Sequence, residues 1–266
     1  MTARRNYLKP GYWVTRLWLL VLLLAVWWVA SDQSQSMYFP PLRVILTTFV
    51  EQWVPGIGTN VTTDLLPSLG KFIAGFLIAA GLGVILGTVL GLVPWLRRST
   101  EPIVQFLRSL PPPVLLPVAL LFWGITAEMN IAMIVIGAIW PTVMNTTAGV
   151  RAVSKELEDF SAVYRLNFRE RLFKVILPSA GPQIFSGLRV TLQLSVILIV
   201  VSEMVAATQG VGYFVLHSQQ TFAVVNTWTG TIVLGIIGYL ASVIFLVLEK
   251  RALKWQYGMR AELAGS

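Results

Sequence analysis

Hydrophobic residues along this chain fall into long blocks separated by short polar islands, which predicts helices of bilayer length. The first block, Leu17–Ala30, follows Arg4, Arg5, Lys9 and Arg16. It has the plan of a signal peptide, but Trp28 occupies the −3 position of the one plausible cleavage site, after Ala30. Tryptophan is too large for that pocket, so an uncleaved helix beginning near Tyr12 is expected. Further spans are predicted at Phe72–Val93, Ile131–Val150, Val190–Ala207 and Trp228–Leu248, with a broken one over Ile103–Ile125. The expectation is an all-α polytopic membrane protein of about six transmembrane helices, at roughly 20 residues each. One long loop, Ser31–Pro67, carries Leu42, Ile45, Leu46, Phe49, Val50 and Trp53 at helical spacing with Arg43, Thr47, Glu51 and Gln52 between them. That pattern predicts an amphipathic helix lying along the interface or packed on the bundle.

Composition agrees with a bilayer. Of 266 residues, 56% are hydrophobic and 12% charged, and the mean hydropathy is +0.73. There is no cysteine and one histidine, His217, so disulfides, thiol nucleophiles and histidine metal clusters are excluded. A net charge of +8 would suggest nucleic acid in a soluble protein, but its distribution sets topology instead. Basic residues cluster before the first span, after the second (Arg97, Arg98), between the fourth and fifth, and after the sixth (Lys250, Arg251, Lys254, Arg260). Both termini are therefore expected in the cytosol, with no nucleic-acid partner.

Within the spans, Gly83, Gly87 and Gly91 leave one helix face bare for close packing against a helix that the sequence does not identify. Pro111-Pro112-Pro113 and Pro117 break the third span. Two readings fit the break: a discontinuous helix beside a transport pathway, or an interfacial turn that ends a surface helix at Glu101–Leu110. Polar side chains inside the bilayer are few. Asn145, Gln193, Ser195, Ser202 and Glu203 are the candidates for lining a pathway. Glu203 is the one acid well inside a predicted span; pairing with Lys71 or Arg189, or exposure at the outer interface, are the competing structural readings.

The charged island between Arg151 and Pro178 reads as two short helices, Lys155–Tyr164 and Arg169–Ile176, the second stopped before Pro178. Leu157, Phe160, Ala162 and Tyr164 on the first, and Leu172, Val175 and Ile176 on the second, are available for apolar contact. This segment resembles the cytoplasmic signature of binding-protein-dependent ABC importer permeases, Glu-Ala-Ala, three residues, Gly, then a run ending in Leu-Pro. Counting back from Leu177-Pro178, Asp159 falls on the Glu, Phe160 and Ser161 on the two Ala positions, and Arg165 on the Gly. Leu110–Pro113, Ser202-Glu203-Met204, Gly210–Tyr213 and Gln219-Gln220 are similar to other family features, so the likeness covers most of residues 60–255. It is nearest the sulfonate, taurine and nitrate branch. Two departures stand out: Asp replaces Glu, and Arg165 replaces a glycine that would permit positive φ.

The resemblance implies a type I importer permease fold, a single transmembrane domain over 1–266 with a cytoplasmic coupling segment at 151–180. It implies that Asp159, Phe160, Ser161, Ala162, Tyr164, Arg165, Leu166, Leu172 and Pro178 dock an ATP-binding cassette ATPase. The chain itself would be no enzyme and bind no cofactor, the partner using ATP and magnesium. No G-x-x-x-x-G-K-[ST] phosphate loop occurs in the sequence, in keeping with that division of labour. A second permease copy, most simply a homodimer, and a periplasmic or lipid-anchored solute-binding protein seated on Ser31–Pro67 and Gly210–Asn226 complete the expected partners. The location implied is the bacterial cytoplasmic (inner) membrane. A small anion such as a sulfonate, taurine or nitrate is the solute expected; a neutral heteroaromatic such as a pyrimidine vitamin precursor is the alternative. A proton-coupled carrier would require internal repeats and a relay of intramembrane acids or histidines. Neither is seen, and a membrane enzyme lacks a convergent acid, base and nucleophile.

Overall fold

The computed structural model describes residues 10–254 apart from 35, 55 and 57, and the regular elements among them are all helical. Arg4, Arg5, Lys9 and Arg260, used above for orientation, lie outside the described residues. Two compact units emerge, one formed by the chain up to Val61 with Val215–Ile232, the other by Thr62–Phe214 with Val233 onward.

In the first unit, α1 (Pro10–Gln33) covers the first predicted span, and α2 (Leu42–Trp53) is the predicted amphipathic helix. Leu42, Ile45 and Trp53 of α2 are buried, while Leu46 and Val50 remain exposed. The buried Trp53 indole donates to Thr229 Oγ1 at 3.3 Å, and the Gln52 amide donates to Asn226 Oδ1 at 2.9 Å. This helix is therefore a packing element, held at its end by side-chain amide and hydroxyl groups.

The second unit contains α3 (Leu66–Leu92), α4 (Pro94–Ser109), α5 (Leu116–Trp123), α6 (Ala127–Arg151), α7 (Lys155–Val163), α8 (Phe168–Arg171) and α9 (Leu177–Ala206). Then α10 (Val211–Gln220) and α11 (Val224–Ala252) follow. Among the described residues, four stretches are long and apolar enough to cross a membrane: Val61–Leu92, Ala127–Arg151, Phe168–Ala206 and Val224–Ala252.

The partner of the bare glycine face is α6. A Cβ added at Gly83 would lie 2.7 Å from Thr142 Cβ, at Gly87 2.6 Å from Thr146 Cβ, and at Gly91 2.7 Å from Val150 Cβ. Three glycines at four-residue steps thus match three α6 side chains at the same step, the parallel rows meshing as ridge and groove. Across the gap Thr147 Oγ1 donates to the Gly87 carbonyl at 3.0 Å. On its other side α6 meets α9 just as closely: a Cβ at Gly187 would stand 2.9 Å from Asn145 Cβ, and one at Gly149 2.8 Å from Gln183 Cβ. Thr142 and Thr191, both fully buried, join hydroxyls at 2.7 Å, and Thr191 passes its proton to the Ala138 carbonyl at 2.8 Å. Ile134, Leu192, Leu198 and Phe245 share the apolar core beside them.

The third predicted span is two elements meeting at 91°. The proline run removes consecutive N–H donors, so α4 ends at Ser109 and a 3-10 turn, Pro112–Leu115, starts α5. Pro112 seats on α6, since a Cβ at Gly137 would come within 2.8 Å of it. Gly137 lies ten residues into the 25-residue α6, so the elbow sits at about half its height. That placement fits a discontinuous span and not a turn at the membrane surface.

The expected stop before Pro178 is a correction. The chain runs helically from Phe168 to Ala206, and the Leu172–Ile176 segment widens to a π turn whose cap N–H, at Leu177, bonds the Leu172 carbonyl. That five-residue spacing lets the chain pass a residue that has no N–H without ending the helix.

The glycine contacts predict a contrast between neighbouring positions. Gly87→Leu should lower stability by about 1–3 kcal/mol through overpacking. Gly81, with nothing within 4 Å of its added Cβ, should tolerate Ala with a gain of about 0.4–1 kcal/mol. Thermal unfolding of the two variants in detergent, with shifts of opposite sign, checks both.

Candidate functional site

The island between α6 and α9 folds as a helical hairpin whose turn is built by backbone geometry. At the end of α7 the Arg165 N–H bonds the Ala162 carbonyl and the Leu166 N–H bonds the Ser161 carbonyl, both at 3.0 Å. This pair is the Schellman arrangement, which places the residue after the cap in the left-handed region. That residue is Arg165, at φ +48°. The position at which the resemblance puts glycine thus keeps the conformation of a glycine while carrying an arginine, at a cost of about 1–2 kcal/mol. The Asn167 carboxamide then accepts the Glu170 N–H at 2.9 Å while Glu170 accepts the Asn167 N–H at 3.2 Å, a reciprocal cap that starts α8. Arg171 reaches back to Glu158 at 3.2 Å and ties the two helices.

The hairpin presents an apolar, aromatic tip. Phe160 and Tyr164 lie with ring centroids 4.3 Å apart. Both are exposed, with Val163 and Phe168 beside them in sequence exposed as well. Asp159, Ala162 and Arg165 are exposed on the same segment and Leu166 is half-buried. Ser161 is buried, its hydroxyl donating to the Leu157 carbonyl at 2.7 Å. Leu172, Val175 and Ile176 of the second helix turn the other way, which corrects their reading as available for contact, while Phe173 between them is exposed. Val175 and Ile176 are buried, Leu172 packs against the cluster of Val150, Ile176, Ala180 and Ile184, and Pro178 is half-buried. Glu156, exposed in the first turn of α7, is held below the usual carboxylate range by its own backbone N–H and by the Ser154 hydroxyl.

At the far end of the same bundle lies a buried polar cluster. Glu203, 1% exposed, pairs with Lys71 at 2.5 Å. Ser68 Oγ shares its proton between the carboxylate oxygens at 2.7 and 2.8 Å. The start of α10 supplies the rest. Gly210 N–H bonds Asp64 Oδ1 at 2.9 Å, Val211 N–H bonds Ser68 Oγ at 2.9 Å, and Gly212 N–H bonds Glu203 Oε2 at 3.1 Å. Three successive donors at a helix N-terminus, which have no partner within the helix, are all taken by side chains of α3, its leading turn and α9. Gly210 is at φ +125°, and a Cβ there would stand 2.4 Å from a Glu203 oxygen. Of the two partners proposed from sequence, Lys71 is the one present; Arg189 pairs with Glu249. Asp64 and Ser68 were not singled out from sequence, because hydrogen-bond capture from 135 or more residues away leaves no local pattern.

The remaining pathway candidates are scattered. Ser195 and Ser202 are buried and donate to the Thr191 and Ile199 carbonyls of their own helix, at 2.7 and 3.1 Å. Gln193 is exposed on the opposite side of α9 from the buried Ser195 and Thr191. Asn145 alone borders a cleft, of about 630 Å3, against the α4–α5 elbow. That cleft also holds Arg108, a residue hidden from sequence reading inside what looked like a surface helix.

Comparison with known proteins completes the picture. Residues 79–254 match the family described as binding-protein-dependent transport system inner membrane component. The chain is 29% identical over 255 residues to the putative aliphatic sulfonates transport permease protein SsuC of Bacillus subtilis, covering 93% of this chain and 91% of the relative. It is 32% identical to the nitrate import permease protein NrtB of Synechococcus elongatus, covering 74% of this chain and 73% of that one. Its fold is like that of a chain of the inward-facing MetNI methionine ABC transporter, with a TM-score of 0.62, 20% identity, and coverage of 71% of this chain and 94% of that chain.

Two outcomes are expected here. Arg165→Gly should relieve the left-handed turn by about 1 kcal/mol, read as slower hydrogen exchange at the Leu166 amide. Glu203→Gln or Lys71→Met alone should each destabilise by about 3–5 kcal/mol, because each leaves one buried charge unpaired. The double variant should cost less than the sum of the two, a coupling visible in the unfolding temperatures of the full cycle.

Proposed function

This chain belongs to the family of binding-protein-dependent transport system inner membrane components and is a multi-pass permease subunit of an ABC importer; on that premise we propose how its parts are used. The α7–α8 hairpin is the docking element for an ATP-binding cassette subunit. The observation that carries this is the exposed Phe160–Tyr164 pair at the tip of a turn fixed by two backbone bonds and a capping box. Rigid, desolvatable aromatic side chains on a preorganised turn are what a protein groove rewards most. ATP and magnesium are handled by that partner, and its movement reaches α6 and α9 directly, because the hairpin is continuous with both.

A second copy of the permease supplies the other half of the pathway, and a solute-binding protein delivers the solute from the outer side. With basic residues concentrated between α6 and α9 and after α11, both termini lie in the cytosol. The solute is a small oxyanion. Support for that comes from the relatives, which are named for aliphatic sulfonates and for nitrate.

The tagged chain, purified from its native membrane, should carry a stoichiometric ATP-binding cassette subunit. Phe160→Ala with Tyr164→Ala should reduce that subunit at least about tenfold, a loss of roughly 1.4 kcal/mol or more, with the permease still inserted at normal abundance. A permease that purifies alone in wild-type form, or a double variant that keeps its partner, overturns the docking assignment.

A further inference from the structure

Arg108 has no ion-pair partner among the described residues, and its place in the fold sets it apart from the other unpaired basic side chains. It stands at the C-terminal end of α4, one residue before the helix ends and the chain turns by 91°. Its height is set by contact: the elbow residue Pro112 rests against Gly137, so Arg108 lies close to half-way along α6 and roughly 15 Å from either end of a bilayer core. An arginine at that depth is costly unless it meets an anion or water. Among the described residues no carboxylate lies within ion-pair distance of it. Its one hydrogen bond runs from Nε to Gln105 Oε1 at 2.8 Å, which leaves the terminal guanidinium nitrogens of the fork uncommitted.

The guanidinium lines the cleft of about 630 Å3, beside Trp140 and Asn145 and with no acidic residue in the lining. Below it, towards the Arg151 end of α6, a second cleft of about 360 Å3 shares Gln105 and Met144 with the first. Arg97 and Arg151 line this lower cleft with a single acid, Glu101. Polar residues on α4 at positions 97, 101, 105 and 108 form one helical stripe facing these clefts.

We infer that Arg108 is the anion ligand of the translocation path. Its fork accepts the oxyanion end of the solute, a sulfonate or similar planar or tetrahedral oxygen cluster, by paired charge-assisted hydrogen bonds. Arg97 and Arg151 then continue an electropositive file towards the end of α6 that carries the hairpin. This inference rests on the permease reading above.

The test uses the complete importer with its binding protein in proteoliposomes. ATP-driven uptake of radiolabelled ethanesulfonate, taurine and nitrate is measured alongside binding-protein-stimulated ATP hydrolysis. Arg108→Gln should lower uptake of the carried anion at least about tenfold, with stimulated hydrolysis within about twofold of wild type, and Arg108→Lys should recover part of the uptake. The exposed Arg98→Gln should leave both readouts unchanged. Uptake retained in Arg108→Gln, or uptake and hydrolysis lost together in both Arg108 variants, overturns the ligand role. A wild-type importer that couples hydrolysis to its binding protein yet carries none of the three anions overturns the anion class while leaving the permease reading intact. A chain without an ATPase partner overturns the permease reading itself.

Discussion

The structure depends on how closely α6 can approach its two neighbours. Lipid tails offer no hydrophobic drive between helices, so association must come from close packing and from hydrogen bonds across the contact. Here Gly83, Gly87 and Gly91 on one flank, and Gly187 and Gly149 on the other, remove the side chains that would keep the backbones apart. The approach is close enough for Thr147 to reach a carbonyl of α3 and for Thr142 to reach Thr191 of α9. One helix thereby fixes the register of two others, and that register decides what happens at both ends.

At one end, α3 and α9 are aligned so that Lys71 and Glu203 meet, with Ser68 and Asp64 placed to collect the first amides of α10. Burying two charges is expensive, and the pair is supported by the Ser68 hydroxyl and the Gly212 N–H on Glu203 and by the Gln209 carbonyl on Lys71. At the other end, α6 and α9 deliver the hairpin. Its tip is stiffened by the Schellman turn, the Asn167–Glu170 cap and the Arg171–Glu158 bridge, all made within the segment itself. Both ends are thus rigid for local reasons, and α6 and α9 are the physical link between them.

Much of this was legible in the residues. Block length gave helices, four-residue glycine spacing gave a close contact, and the amphipathic pattern of Leu42–Trp53 gave α2. Scarcity of charge near Glu203 points to Lys71 or Arg189 as its partner, and Lys71 is the one present. What escaped was non-local or compensated. The spacing of glycines says that a helix approaches but not which one. Pro178 reads as a stop, because a local rule does not anticipate a π turn that absorbs the missing donor. Leu172, Val175 and Ile176 read as a surface because helical spacing shows an apolar face and not the direction it points. Arg108 read as part of a surface helix because its depth follows from a proline resting on Gly137, which no window of sequence contains.

Lys71 and Glu203 also impose an order on synthesis. They are separated by 132 residues, and at about 5–20 residues per second the ribosome takes on the order of ten seconds or more to make the second after the first. For that interval α3 enters the bilayer with an ammonium group that lacks the Glu203 carboxylate. The lysine lies in the outer third of the Val61–Leu92 span, so its long stem can carry the charge towards the water boundary until the late helix arrives. The ion pair is then a lock that closes late, once α9 has joined the early helices.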